Sequence, residues 1–198
     1  MSSILSRRLV PALFLLSLAL AGLPARASFH LFSMDELYTN GDGSVQFMEM
    51  SALTGAQQFV AGHTLVASDG TTTHTFSVPA NLPGDTSGRK VLFATQGFAA
   101  LGIVTPDYVV PNGFFFQGGG TVRWGEGADV WNYPALPTDG QHSIERTGAQ
   151  VVNSPQNFAG ASASINGAPP PPQSFNVEGL WWNSPAQSEA GWGVNITH

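Results

Sequence analysis

Apolar residues along this chain recur mostly in short alternating runs separated by turn formers. Phe29 to Tyr38 mixes apolar and polar residues in near alternation, and Ser44 to Met50 forms a second β-rich run. Between them Thr39-Asn40-Gly41-Asp42-Gly43 is dense in turn residues. Two β-rich runs around such a cluster predict a hairpin. Further strands are predicted at His63–Ser68, Thr73–Val78, Val91–Thr95, Tyr108–Val110, Phe114–Gln117, Thr121–Trp124, Val130–Tyr133 and His142–Arg146. Asp69-Gly70, Leu82-Pro83-Gly84, Pro111-Asn112-Gly113, Gly118–Gly120 and Thr138-Asp139-Gly140 punctuate them, and only Gly97 to Leu101 reads as a brief helical turn. Many short strands at even spacing predict an all-β sandwich or barrel.

The pattern differs at both ends. Arg7 and Arg8 precede an apolar run from Leu9 to Gly22, and Ala25-Arg26-Ala27 supplies small residues at a cleavage position. A basic start, a short apolar stretch and an A-x-A site predict a cleaved secretory signal over residues 1–27. The apolar run is broken by Pro11 and is shorter than the roughly 20 residues a spanning helix needs. The expectation is therefore export, to the periplasm or beyond, with no membrane span after cleavage. Residues 28–164 form the predicted sandwich domain. Pro169–Pro172 sits in a predicted linker, residues 165–176, where consecutive prolines favour an extended, semi-rigid spacer. Residues 177–198 are a Trp-rich tail.

Charge narrows the partners. Without the leader, Arg89, Lys90, Arg123 and Arg146 face 13 acidic residues, a net charge of −9. Four scattered cations cannot neutralise a phosphate backbone, so nucleic acid is excluded as an expected partner. The chain has no cysteine, which removes disulfides, thiolate metal sites and cysteine nucleophiles. An exported domain of this kind must be held by its core, with bound Ca²⁺ as one further source of stability.

Several phrases share an order with one known family. Met34-Asp35-Glu36-Leu37-Tyr38 is similar to an "I-x-E-[I/V]-x" first strand, and Ser44-Val-Gln-Phe-Met-Glu49-Met50 to an "F-[I/V]-E-L" second strand. Leu82-Pro83-Gly84 ahead of Val91-Leu92-Phe93-Ala94 follows, then His142-Ser143-Ile144-Glu145-Arg146 as "S-[L/I]-E-R", then Ser154-Pro155-Gln156-Asn157-Phe158. Together these resemble the lamin-tail domain across about residues 29–160. The resemblance implies an immunoglobulin-like β-sandwich. It also implies an exported binding or attachment module without its own catalytic centre, as in bacterial relatives appended to nucleases, phosphoesterases or surface proteins. Thr105–Gly127, rich in glycine and aromatics, departs from the family pattern. The tail, from Gly179-Leu-Trp-Trp to Gly191-Trp-Gly, resembles an incomplete copy of a "G-x-W-W-x-P…E-x-G-W-G" repeat of exported bacterial proteins.

Candidate chemistry is sparse. Asn40, Asp42, Gly43 and Glu49 fall at positions 3, 5, 6 and 12 of an EF-hand loop, but Tyr38 stands where the first ligand belongs. A hairpin turn is the expected reading. A looser Ca²⁺ site stays open, with Asp35, Glu36, Asp42 and Glu49 near one another across the hairpin. Gly125-Glu126-Gly127-Ala128-Asp129 echoes one calcium β-roll repeat, and one copy cannot build that site. The five histidines show no zinc spacing, and no nucleophile elbow or phosphate loop is present. In a strand, Phe115 faces opposite to Phe114 and Phe116. Phe115, with Trp181, Trp182 and Trp192, is thus a candidate partner surface for a protein or a glycan at the cell surface, against the alternative that these rings are core.

The expected function is an exported non-catalytic binding or structural module of the envelope or secretome, without a catalytic residue or an obligatory cofactor. The alternatives are a calcium-stabilised surface or adhesion-type protein and a secreted hydrolase. The hydrolase requires a cleft joining a histidine to two carboxylates or to a serine.

Overall fold

Phe32, Met34 and Leu37 are spaced by two and then by three residues, which a regular strand cannot bring to one face. The chain resolves the mismatch with a bulge. In the computed structural model, which describes residues 29–165 and the backbone of Gly179–Trp181 and Val194–Ile196, β1 (Phe32–Thr39) pairs antiparallel with β2 (Gln46–Ala52). The register passes from Met34↔Met50 to Glu36↔Glu49, so Asp35 is the extra residue. Leu37 thereby joins Met34 in the core while Glu36 turns onto the opposite face beside Glu49. The Asn40–Val45 turn closes this hairpin, and strands flank the loop that partly fits an EF-hand.

The remaining strands complete two sheets. β3 (Thr64–Ser68), β4 (Thr73–Ser77), β7 (Gly120–Trp124) and β8 (Asp129–Tyr133) form an antiparallel sheet in the order β4-β3-β7-β8. β5 (Lys90–Thr95), β6 (Tyr108–Val110), β9 (His142–Glu145) and β10 (Gln150–Val152) join the hairpin in the order β10-β9-β1-β2-β5-β6. Only the β5–β6 pair in that sheet is parallel. The chain from 29 to 165 is thus nearly all β, as its alternating pattern predicts.

Between the sheets lies the main core. Met34, Met48, Met50, Phe93 and Ile144 from one sheet meet Leu65, Ala67, Val122, Trp124 and Trp131 from the other. Trp124 is fully buried, with its ring 5.7 Å from that of Phe93 and 5.9 Å from that of Phe32. The six-stranded sheet also buries its second face. Tyr38, Phe47, Leu92 and Ala94 point there and are covered by Phe98, Val104, Ala163 and Ile165.

Phe98 comes from α1 (Gln96–Ala100), the one α-helix in residues 29–165. Thr95 starts it: its hydroxyl accepts from the Phe98 amide and also donates to the Ser44 carbonyl, tying the helix to the β1–β2 turn. Gly97 lies against that turn so closely that a Cβ would overlap the Ser44 carbonyl oxygen. Gly97→Ala is expected to cost about 1–3 kcal/mol in chemical denaturation, the usual penalty for overpacking.

One predicted strand is corrected and one strand is added. The Phe114–Gln117 segment is a loop, because side chains satisfy its backbone in place of a strand. The Gln46 carboxamide accepts from the Phe115 amide (3.0 Å) and donates to the Phe115 carbonyl (2.7 Å). The Tyr133 hydroxyl serves Phe116 in the same two ways. Strict alternation is therefore lost: Phe114 and Phe115 are both buried, and Phe116 stacks on His74 at 4.8 Å. β10 was not expected, since three residues at a sheet edge are too few to display a period.

Among the described residues no helix is long and apolar enough to cross a membrane. Residues 1–27, residues 166–176 of the predicted linker, and Trp182 and Trp192 lie outside the described residues. The two described stretches of the tail, β11 (Gly179–Trp181) and β12 (Val194–Ile196), pair antiparallel as a hairpin.

Candidate functional site

Acids inside apolar strands must be buried and partnered, or exposed by a twist of the chain. Glu36 and Glu49 are the first kind: both are buried, and they sit side by side across β1 and β2. Burying an ionised carboxylate is costly unless hydrogen-bond donors surround it. Both have such donors. Glu36 accepts from the Ser143 hydroxyl (2.6 Å) and from the amide and hydroxyl of Ser154 (both 2.9 Å). Glu49 accepts from the Lys90 ammonium and from the Gln156 amide at 2.7 Å.

The donors Ser154 and Gln156 belong to a segment, residues 153–165, that crosses the outer face of the six-stranded sheet. A third carboxylate continues the series: Asp107 accepts from the amides of Phe158 (2.9 Å) and Leu92 (2.8 Å). Amides at 154, 156 and 158 thus meet Glu36, Glu49 and Asp107 in turn. Alternate amides of an extended chain point the same way. Three carboxylates therefore do for this strap what a neighbouring strand would do. Asn153 and Asn157 fasten it further, Asn153 by bonds to the backbone of Gln141 and Ile165 and Asn157 by one to Thr105.

The electrostatics follow from burial. Desolvation pushes the Glu49 carboxyl above the ordinary range, against the lowering effect of Lys90 and the Gln156 amide. Desolvation does the same to Asp107, against the two amides it accepts from. For Lys90, burial pulls the ammonium down, and the bond to Glu49 with the nearby charges of Asp35 and Glu36 more than reverses it. Beside this cluster lies a depression of about 270 Å³, lined by Asp35, Glu36, Glu49, Lys90, Glu145, Arg146, Thr147 and Ser154.

Three of the four Ca²⁺ candidates therefore come together. Asp35 accepts from the Ser51 hydroxyl at the rim, next to Glu36 and Glu49. Asp42 does not join them. It sits in the β1–β2 turn, where its carboxylate accepts from the hydroxyl (2.6 Å) and amide (2.9 Å) of Ser44, and these bonds hold it below the usual carboxylate range. Among the described residues no group of three or more His, Asp or Glu side chains is placed to hold a metal ion. EDTA followed by millimolar Ca²⁺ is expected to leave the thermal midpoint within about 2 °C. A site filled at a hundred times its dissociation constant would add about 2.7 kcal/mol.

Phe115, the aromatic assigned above to a partner surface, is a core residue with 1% exposure. Its ring packs edge-on against Phe114. Trp181 lies on β11, of which the backbone alone is described; Trp182 and Trp192 fall outside the described residues.

The histidines are individually placed. His63 stacks on Phe29 at 3.2 Å and meets the exposed Glu126 at 3.0 Å. His74 bonds the Phe114 carbonyl. His142 meets Asp139 at 2.6 Å within a turn that also bonds the His142 and Gln141 amides, and this turn holds Asp139 down to about 2. Each of the three has one acceptor, and none of them bonds a serine.

Sequence reasoning missed Lys90, Asp107, Ser154 and Gln156 as members of the site. The available signal was the pair of glutamates set among methionines, phenylalanine and leucine. No protein-family model, curated protein or solved structure matches this chain.

Proposed function

We propose that this chain is an exported, non-catalytic binding or structural module whose sandwich is of the lamin-tail, immunoglobulin-like type. One observation carries the reading. The phrases that resemble the lamin-tail pattern are far apart in sequence and meet at one place in the fold. The glutamates of the first and second phrases, Glu36 and Glu49, accept from Ser143 of the fourth and from Ser154 and Gln156 of the fifth. That the phrases keep the family's order and converge on one buried lock supports the reading.

The same observation argues against catalysis at this cluster. A catalytic carboxylate has to face a substrate, whereas Glu36 and Glu49 are closed in by hydroxyl, amide and ammonium donors of the chain itself. His63, His74 and His142, each with one hydrogen-bond acceptor and none bonded to a serine, favour the same reading. Export rests on the leader pattern of residues 1–27, and the partner class is a protein or a glycan at the cell surface.

The test is turnover by the purified exported chain on chromogenic esters, phosphoesters and glycosides. The expected rate equals that of buffer. Turnover that disappears in His63→Ala or His142→Ala would replace this proposal with the hydrolase.

A further inference from the structure

The outer face of the four-stranded sheet has a different character from the rest of the molecule. Its inward residues, Leu65, Ala67, Val122, Trp124 and Trp131, are core. Their neighbours point to solvent and carry almost no charge. One row across the strands reads Thr73, Ser68, Thr121, Asn132, and the next reads Thr75, Val66, Arg123, Val130. Adjacent strands place these side chains about 4.8 Å apart. The hydroxyl row is already ordered, with Thr73 donating to Ser68 (3.1 Å) and Thr121 to Asn132 (2.7 Å). A depression of about 390 Å³ opens between Val66, Ser68, Gly70, Thr73, Thr121 and Arg123.

Arg123 is the one charged residue in these two rows, and it differs from every other cation of residues 29–165. Lys90 is bound to Glu49. Arg146 grips Asp129 with both arms of its fork, at 2.6 and 2.7 Å. Arg89 lies over the Phe158 ring and bonds the Phe158 carbonyl. Arg123 is exposed and has no hydrogen bond or ion pair among the described residues. In the β3–β4 turn the Asp69 carboxylate is folded back onto the amides of Thr71 and Thr72, and in the β7–β8 turn Glu126 meets His63. In a chain this acidic, an unpaired guanidinium between the half-buried Val66 and the exposed Val130, beside a row of hydroxyls, stands out.

We infer that this face binds a carboxylate-bearing polysaccharide, a uronate chain, with Arg123 holding the carboxylate. The chemistry matches at three points. A planar guanidinium pairs with a carboxylate through two parallel hydrogen bonds. The Ser68, Thr73, Thr121 and Asn132 side chains donate and accept, as sugar hydroxyls require. Val66 and Val130 offer apolar contact to the C–H face of a ring. Net negative charge elsewhere on the chain leaves Arg123 as the point where a single carboxylate is held, and salt screens both that contact and the repulsion from the other acids. This inference rests on the proposed binding role and supplies its ligand class.

The test uses affinity electrophoresis of the exported protein in gels containing polygalacturonate, with fully methyl-esterified polygalacturonate as the uncharged control. Retardation is expected with the acid form. It should weaken about tenfold or more with the ester and in Arg123→Gln, from the worth of a hydrogen bond to a charged group. Arg123→Lys should recover part of the binding, because it restores charge without the fork. All variants should keep the parent melting midpoint, since residue 123 is on the surface. Absence of retardation by the parent protein, equal binding of ester and acid, or unchanged binding in Arg123→Gln would each overturn the inference. None of these would produce turnover, so the non-catalytic reading fails or survives by its own assay.

Discussion

Glu49→Ala is expected to remove about 3 kcal/mol of folding stability, the lower end of the range for breaking a buried ion pair. Two consequences add. The Gln156 amide loses its acceptor and is left under the strap, and Lys90 loses its counter-charge. The Lys90 side chain is 35% exposed and can turn toward water, which keeps the loss from the upper end. Glu49→Gln should cost less, since a carboxamide oxygen still accepts from the Gln156 amide. Urea denaturation of the three proteins checks the order. A loss below about 1 kcal/mol for the alanine variant would mean that water already serves these groups. With domains stable by about 5–15 kcal/mol in total, the expected loss is a large fraction.

The second large effect is expected at Trp124. Its side chain is fully buried between the sheets and touches Phe32 and Phe93 of the opposite one. Trp124→Ala should cost about 3–5 kcal/mol, transfer and cavity together. Trp124→Phe keeps a ring at the position and should retain much of that. The loss should also appear as slackened contact between the sheets, because Trp124 meets both Phe32 and Phe93 of the opposite sheet. A cost near that of a surface substitution, within about 0.5 kcal/mol, would contradict two sheets packed face to face.

Both effects show what the sequence makes legible. Period-two alternation in β3, β4, β7 and β8 is visible in the chain because each strand has one face in the main core and pairs regularly, whereas β5, buried on both faces, reads as a continuous apolar run. The spacing of Phe32, Met34 and Leu37 was visible too, and the bulge at Asp35 is its physical meaning. The aromatic triplet was misleading for a clear reason. Phe114–Phe116 has strand composition, but Gln46 and Tyr133, distant in sequence, satisfy its backbone. Local pattern carries no trace of such a partner.

The site was half legible for the same reason. Asp35, Glu36 and Glu49 stand out as acids in apolar strands, and they do converge. Asp42 stands out equally and does something local, closing its own turn through Ser44. Apart from Lys90, what binds Glu36 and Glu49 comes from 107 or more positions away, in Ser143, Ser154 and Gln156. Asp107 is hidden because an aspartate after proline at the start of a strand looks like an ordinary turn residue. The unpaired state of Arg123 emerges only once every other cation has found its partner.

The lock between the strap and the sheet is most directly tested by hydrogen exchange at the amides of Ser154, Gln156 and Phe158. If Glu36, Glu49 and Asp107 hold them, these three amides exchange as slowly as the interior amides of β2 and β5, and Glu49→Ala releases Gln156 first. Exchange at the rate of an open loop, in the parent protein, would show that the carboxylates do not hold the strap and would remove the structural basis for the proposed module.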